Sequence, residues 1–258
     1  MPVVLEGGCR VVGLREGAPV ERESLRVWRH VDRATGARAI SLRVLEVGPG
    51  TSPGMRNTAC DEVLFVLEGR GAAFLDGHPH ALEPDTGLYL RPGVALSVQN
   101  LGPGPLTLVA SQCPDPGPSL ALEAPCTSPV AGTTPPVPSP LVRLSERAAE
   151  VTGDRWYRVL VDHTVGSAQV TQFVGAIPPG RAPDHFHQYE EVLCILAGTG
   201  RMWAGATHTP VGPGSCVFLP QGQVHCVENT GGGELRLLGV FYPAGSPAVR
   251  YDPKPASA

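Results

Sequence analysis

Residues 180–229 read GRAPDHFHQYEEVLCILAGTGRMWAGATHTPVGPGSCVFLPQGQVHCVEN, and the spacing of the histidines in this stretch is the most informative pattern in the chain. His185 and His187 stand two positions apart, and alternate side chains of an extended strand share one face. Glu191 keeps that parity if the chain stays extended, whereas His225 comes from a later strand. The pattern predicts that these four side chains meet at one metal site.

The donor set of this predicted site consists of three neutral imidazoles and one carboxylate. Such donors suit a borderline divalent transition-metal ion, and Fe, Mn, Ni, Co, Cu and Zn all remain open as candidates. One ion per chain is therefore expected. In an octahedral shell about two positions would stay free for water or substrate.

Two spaced motifs surround the four residues. The first reads G-x4-H-x-H-x3-E-x6-G from Gly180 to Gly198, and the second reads G-x5-P-x-G-x2-H-x3-N from Gly214 to Asn229. Both resemble the motifs of the cupin family, although the first motif is one residue short between its glycine and its first histidine. The resemblance implies a double-stranded β-helix, or jelly-roll barrel, that holds a metal ion on the four side chains named above.

A similar pattern occurs earlier in the chain at an offset of 129 residues, where Glu62-Val63-Leu64 corresponds to Glu191-Val192-Leu193. Further pairs at this offset are Gly69 with Gly198, Gly71 with Gly200, Leu90 with Leu219, Gly93 with Gly222 and Asn100 with Asn229. An internal repeat of short alternating strands predicts an all-β chain with two tandem barrels, a bicupin. Helix should be minor, and one short helix is expected at Leu144–Val151 with Ser145 as its N-cap.

Composition divides the chain into four parts. We expect an N-terminal barrel at residues 1–112 and a C-terminal barrel with the metal site at residues 141–250. Residues 113–140 are rich in Pro, Ser and Thr, which predicts a linker lying along the surface. Residues 251–258 are polar and contain proline, which predicts a loose tail.

The two copies are not equivalent at the metal positions. In place of the three histidines the first copy has Arg56, Thr58 and Leu96, and only Glu62 is kept. An arginine repels a cation and a leucine cannot ligate one, so the first barrel is predicted to bind no metal and to serve as a structural half. In an alternative interpretation Arg56 and Glu62 line a pocket for a polar or anionic ligand.

The sequence also allows predictions for three further sites near these motifs. The sequence His78-Pro79-His80 has two alternating histidines, but it falls near a hairpin tip and is predicted to be a surface loop. Glu190 and Cys226 each adjoin a predicted ligand, and neighbours on a strand face opposite ways. Glu190 is therefore expected to have a solvated or structural role, and Cys226 to be a small buried residue.

The composition excludes several classes of function. The chain has 258 residues, of which 42% are hydrophobic, and a net charge of −4 gives no electrostatic case for binding nucleic acid or an anionic membrane. No apolar run approaches the ~18 residues of a membrane span. The seven cysteines form no CxxC pair, so a cytoplasmic protein with reduced thiols is expected. The expected partner is a small-molecule substrate, and the chain is expected to be a monomer or a homodimer.

The predicted ligand set defines a site rather than a reaction. The leading hypothesis is a metal-dependent dioxygenase that resembles the quercetinase-like bicupins and acts on a small enolic or dihydroxylated substrate. The alternatives are a non-oxidative isomerase, decarboxylase, lyase or hydrolase, and a small-molecule-binding protein without turnover. No catalytic residue beyond the metal ligands is assigned.

Overall fold

A computed structural model of the protein describes residues 1–114, 117 and 121–253. The described chain consists almost entirely of β-strands, and its helical structure is limited to single 3-10 turns at Glu6–Gly8, Arg33–Thr35, Leu144–Glu146 and His163–Val165. None of the described helical segments is long or apolar enough to cross a lipid bilayer.

The helix predicted at Leu144–Val151 is wrong. One turn ends at Glu146, its N-cap is Arg143 rather than Ser145, and a strand begins at Glu150. The side chain of Glu146 accepts hydrogen bonds from the backbone and the guanidinium of Arg143, which closes the turn on itself. The next residue, Arg147, is extended, so the turn cannot propagate into an α-helix.

The strands are numbered in chain order. The first fifteen are β1 Val3–Val4, β2 Arg10–Gly13, β3 Val20–Arg22, β4 Leu25–Val31, β5 Leu42–Val47, β6 Gly50–Thr51, β7 Gly54–Arg56, β8 Asp61–Glu68, β9 Gly71–Leu75, β10 His78–Leu82, β11 Thr86–Leu90, β12 Ala95–Asn100, β13 Leu106–Cys113, β14 Ala121–Glu123 and β15 Leu141–Arg143. The remaining ten are β16 Glu150–Thr152, β17 Arg155–Val161, β18 Thr171–Ile177, β19 Gly180–Arg181, β20 Glu190–Ala197, β21 Gly200–Ala204, β22 Thr207–Val211, β23 Ser215–Leu219, β24 His225–Asn229 and β25 Leu235–Tyr242.

These strands form four antiparallel sheets, two in each half of the chain. The N-terminal half has a seven-stranded sheet in the order β15-β11-β8-β13-β5-β4-β3 and a smaller sheet in the order β10-β9-β12-β7-β14, with β6 beside β12. The C-terminal half has an eight-stranded sheet in the order β1-β2-β23-β20-β25-β18-β17-β16 and a four-stranded sheet in the order β19-β24-β21-β22. The predicted all-β fold with two tandem jelly-roll barrels is confirmed.

Each large sheet ends in strands from the other half of the chain, namely β1 and β2 in the C-terminal sheet and β15 in the N-terminal sheet. Near the N-terminus, β2 pairs with β23, with Arg10 opposite Phe218. In the reverse direction β15 pairs with β11, with Val142 opposite Gly87. The exchanged strands cover backbone edges that would otherwise be open and join the two halves. The boundaries at residues 112 and 141 stay predictions, and the strand exchange crosses both of them.

Several described parts of the predicted linker contact the N-terminal half. Strand β14 pairs with β7, the backbone N–H of Cys126 donates to Ser97 Oγ at 2.9 Å, and that of Val130 donates to the carbonyl of Asp76 at 3.0 Å. Residues 115, 116, 118–120 and 254–258, which belong to the predicted linker and tail, lie outside the described residues.

The prediction of a surface loop at His78-Pro79-His80 is wrong, because these residues form the start of β10. The turn before them is Asp76-Gly77, and both residues have positive φ, 46° and 82°. This is the backbone geometry of a two-residue hairpin, so the next strand begins at once. His78 Nε2 contacts Thr133 Oγ1 at 3.1 Å.

Alternate side chains of a strand pack into different hydrophobic cores, and this alternation positions the candidate site. On β20, Leu193 and Ile195 pack inside the C-terminal barrel, whereas Val192 and Cys194 pack in a core between the two halves. The strand is buried on both faces, as in a sheet covered on both sides. By the same alternation Glu191 points into the barrel, together with Leu193.

Candidate metal centre

Three histidines from two chain segments converge inside the C-terminal barrel. His185 forms a two-bond bridge with His225, the first residue of β24, with N···O distances of 3.0 and 2.8 Å. The carbonyl of His187 accepts a hydrogen bond from Gly222 N at 2.8 Å. These backbone bonds bring one ligand nitrogen of each imidazole within 4.8 Å of the others, a spacing that could hold a metal ion.

The hydrogen bonds of two rings fix which nitrogen is available. His185 Nδ1 lies 3.0 Å from the carbonyl oxygen of Pro183, and His225 Nδ1 lies 2.8 Å from that of Gln223. A carbonyl oxygen can only accept, so Nδ1 carries the proton in both rings and Nε2 keeps a free lone pair. Metal-binding histidines are commonly oriented by such a bond from their second nitrogen.

Glu191 reaches the cluster from the opposite sheet. The chain bends at Gln188 and Tyr189 before β20 begins, so the condition of an extended segment from His187 to Glu191 is not met. The carboxylate nevertheless arrives beside the imidazoles, with Oε2 at 3.5 Å from His187 Nε2. The assignment of all four side chains as metal ligands stays a prediction, to which the structure adds three converging imidazoles and this adjacent carboxylate.

Burial shifts the pKa values of all four candidate ligands. It lowers the pKa of His187 to about 4 and, with help from the neighbouring imidazoles, that of His225 to about 3. Burial also lowers the pKa of His185 and raises the pKa of Glu191 to about 8. The imidazoles are therefore neutral donors at neutral pH, and the buried carboxylate lacks a positive partner. A divalent ion would supply that charge, so the donor set fits a metal.

Tyr189 supports the cluster and was not singled out from the sequence. Its ring stacks between His187 and Phe241, with centroid distances of 4.8 and 4.6 Å and interplanar angles of 7° and 17°. Burial raises the pKa of its hydroxyl, so the ring stays neutral. The available signal was its place inside the first motif, two residues before Glu191.

A cavity of about 130 Å³ opens beside the three histidines and Glu191. Most of its other walls are apolar, and they include Phe173, Ile177, Leu193, Val227 and Leu237. Two arginines, Arg155 and Arg250, also line it. The site can therefore accommodate a small molecule with both apolar and charged parts.

Comparison with known proteins identifies the family. The family model for the cupin domain matches the chain twice, at residues 43–111 and 173–241, which together cover just over half of it. The chain belongs to the cupin family. Both cupin domains correspond to the barrels described above, and the two motifs in the sequence are accounted for by this membership.

Individual relatives of this cupin are distant. Auxin-binding protein 1 of Arabidopsis thaliana is 30% identical over 83 residues, which span 28% of this chain and only 42% of the plant protein. A deletion mutant of Bacillus subtilis oxalate decarboxylase OxdC matches with a TM-score of 0.72 and 14% identity, covering 90% of this chain and 76% of that one. Protein Ylba from E. coli matches with a TM-score of 0.72 and 16% identity, covering 93% of both chains. At these identities the solved structures show the shared fold alone.

The N-terminal cupin domain has two polar side chains at positions where the C-terminal domain has two phenylalanines. Glu62 lies opposite Gln112 on neighbouring strands, as Glu191 lies opposite Phe241. Arg43 lies opposite Ala110, as Phe173 lies opposite Gly239. The equivalents of Phe173 and Phe241 are therefore Arg43 and Gln112.

These two replacements both bind Glu62. The guanidinium of Arg43 forms a buried ion pair with its carboxylate, and Gln112 Nε2 donates to the second oxygen at 3.0 Å. Arg56 instead pairs with Glu123 at 2.8 Å. Arg56 and Glu62 are thus engaged with different partners, and the alternative in which they line one pocket for a polar or anionic ligand stays a prediction.

Glu190 connects the metal-site strand to the other domain. Its carboxylate accepts hydrogen bonds from the backbone N–H groups of Arg38 and Ala39 at 2.8 and 2.7 Å. The expected structural role is confirmed, although the side chain is buried rather than solvated. Cys226 is buried as expected, and its Sγ accepts a hydrogen bond from Arg181 Nε at 3.3 Å.

Proposed function

We propose that this cupin is a metal-dependent dioxygenase that acts on a small enolic or dihydroxylated substrate. The metal would be one divalent transition-metal ion held by His185, His187, His225 and Glu191. The observation that carries the proposal is the small, mainly apolar cavity that opens directly beside these groups. Mn(II), which is named for the centres of Bacillus subtilis oxalate decarboxylase, is one candidate ion.

A bound divalent ion would supply Lewis-acid chemistry and, if it is redox-active, a site for reaction with O2. The protein contributes position and environment. Glu191 offsets one positive charge, Tyr189 fixes the plane of the His187 ring, and apolar walls such as Phe173 and Leu193 exclude water from the substrate. An electron-rich enolate is the kind of substrate that such a dry, positively charged site stabilises.

The scarcity of acid–base groups favours oxygenation over proton-transfer chemistry. Apart from the four candidate ligands, the titratable side chains among the described cavity residues are Arg155, Arg250 and Tyr157. Arginines do not release protons near neutral pH, and burial raises the pKa of Tyr157. The hydroxyl of the proposed enolic or dihydroxylated substrate is itself acidic, and it would ionise without a protein base.

The test is oxygen uptake by metal-reconstituted protein with a panel of enols and catechols. The proposal expects uptake with at least one compound, in proportion to product, and its loss in His187→Ala. Product formed at the same rate without O2 would exclude the oxygenase reaction. Arg29→Gln, on an exposed position of β4 in the other domain, is the matched control that should keep full activity.

One observation favours a non-oxidative reaction as the second candidate. The hydroxyl of Tyr157 on the cavity wall donates to Glu150 Oε2 at 2.7 Å, so the pair could pass a proton between the cavity and the surface. Such a relay suits an isomerase, decarboxylase, lyase or hydrolase. Anaerobic turnover that is lost in Tyr157→Phe would support this candidate, whereas anaerobic turnover unchanged by that substitution would reject the relay.

A further inference from the structure

Two arginines face the candidate site without a role in the metal cluster. Arg155 is the first residue of β17 and Arg250 lies near the end of the described chain, yet both line the cavity that contains the three histidines. Two distant parts of the sequence thus place cationic groups at the same opening.

Neither arginine is neutralised by a strong partner. Elsewhere in the chain Arg15, Arg143 and Arg236 form ion pairs with Glu46, Glu83 and Asp85. Arg250 has no hydrogen bond or ion pair with another residue in the part of the chain that the structure describes. Arg155 has one contact of 3.3 Å with its neighbour Asp154, whose side chain is 72% exposed. Both guanidinium groups therefore keep donors for a ligand.

The position of Arg250 is fixed by the segment that carries it. We call residues 245–251 the C-terminal strap. At one end Gly245 exchanges two hydrogen bonds of 3.1 Å with the hydroxyl of Thr171. At the other end Tyr251 pairs with Phe186 through two backbone bonds of 2.9 and 3.0 Å, and their rings stack. Phe186 lies between His185 and His187, so the strap is attached to the segment that carries two of the candidate ligands.

The charge of the cavity favours an anion. A divalent ion with one carboxylate ligand and neutral imidazoles keeps one net positive charge, to which the two arginines add theirs. The remaining walls are apolar, so a substrate made only of charged groups would leave that surface unused. A small molecule with one anionic end and an apolar body matches both features. A planar guanidinium binds the two oxygens of a carboxylate particularly well.

We propose that Arg250 and Arg155 form a carboxylate subsite, so that the substrate carries a carboxylate at the strap and its reacting part at the histidines. This inference rests on the proposed function for the reacting part only. Recognition of the anion depends on the arginines and not on the reaction that follows. The subsite makes Arg250 and Arg155 the residues that determine specificity for charged over neutral substrates.

The test is calorimetric titration of the full chain, both loaded with Zn²⁺ as a redox-silent ion and after metal removal. The probes are acetate, pyruvate and benzoate, each compared with its neutral amide, and benzenesulfonate and phenylphosphonate as other anions. At least one carboxylate should bind at least about tenfold more tightly than its amide. Arg250→Gln and Arg155→Gln should each remove about tenfold to a hundredfold of that affinity, since a charge-assisted hydrogen bond contributes about 1.5–3 kcal/mol.

The controls separate this inference from its competitors. Arg29→Gln removes the same charge from an exposed position outside the cavity and should leave every affinity unchanged. Metal content and the unfolding midpoint show whether each variant is intact, and Arg250→Lys should recover part of the affinity if the charge is what matters. Carboxylates that bind no better than amides, or affinities unchanged by both cavity variants, would overturn the subsite. Tighter binding of the sulfonate or phosphonate would overturn the assignment to carboxylates.

The two proposals fail separately. Carboxylate binding that depends on the arginines, together with no O2 uptake on any compound, leaves the subsite standing and rejects the oxygenase. O2 uptake with substrates that lack a carboxylate, at rates unaffected by Arg250→Gln, supports the oxygenase and rejects the subsite.

Discussion

Replacing Arg43 in the N-terminal domain by methionine should destabilise the protein strongly, although the residue lies in the domain without the histidines. The side chains of Arg43 and Glu62 are only 6% and 8% exposed. In Arg43→Met the volume stays filled, but the Glu62 carboxylate is left buried with Gln112 as its remaining hydrogen-bond donor. Removing one partner of a buried ion pair costs about 3–5 kcal/mol, so we expect a loss of about that size.

The assay is urea unfolding followed by circular dichroism at neutral pH. The double variant Arg43→Met with Glu62→Gln should recover most of the loss, because it leaves no buried charge behind. Glu123→Gln is the matched control, since it breaks an ion pair with Arg56 in which the side chains are 43% and 32% exposed, and it should cost far less stability than Arg43→Met. A single variant as stable as wild type, or a double variant no more stable than the single one, would refute the reasoning.

Three further predictions concern the C-terminal domain. Burial raises the pKa of Glu191 to about 8, so the metal-free folded state holds a proton that the unfolded chain has released, and the stability from this group is lost as the pH rises through that value. Urea unfolding in EDTA should show wild type losing about 2 kcal/mol more than Glu191→Gln between about pH 6.5 and 9, and parallel pH curves would contradict this. Glu190→Ala leaves two N–H groups of the other domain without their acceptor and should lower stability by about 2 kcal/mol or more. Glu190→Gln should have an intermediate stability. An unchanged thermal midpoint for the alanine variant would argue against the interdomain bond. Tyr189→Phe keeps the stacked ring and should leave the metal affinity within about twofold of wild type. Tyr189→Ala should cost about 3 kcal/mol of stability and lower the metal affinity. Equal calorimetric metal affinities for both variants would contradict an orienting role of the ring.

The fold was accessible from the sequence because it is repeated. The spacing of Glu62 and Glu191, with glycines at matching positions after each, reflects the same turns in both barrels. Strand parity also placed Glu190 on the face opposite Glu191. These inferences depend on local periodicity, which a single chain displays directly.

The errors and omissions arise where distant segments meet. Nothing in the local pattern of β2 shows that it pairs with β23, because edge pairing depends on which partner the whole fold brings alongside. Arg43 and Gln112 were not recognised as the groups that engage Glu62, since their equivalence to Phe173 and Phe241 becomes visible only in the sheet register.

The candidate site shows the same division. The four predicted ligands were identified from residue type and spacing, and three of them form one cluster in the structure. The bend at Tyr189 was missed because parity assumes an extended chain. Arg155 and Arg250 reach the cavity through β17 and the C-terminal strap, whose routes no short motif encodes.

The most direct measurement is the metal content of the full chain, purified without an affinity tag or chelator and reconstituted with each candidate ion, determined by inductively coupled plasma mass spectrometry. Wild type should hold about one divalent ion per chain, and His225→Ala and Glu191→Gln should each reduce that content or weaken the affinity at least about tenfold. A wild type that retains no ion after reconstitution, or a double variant His185→Ala with His225→Ala that retains the full amount, would contradict the account.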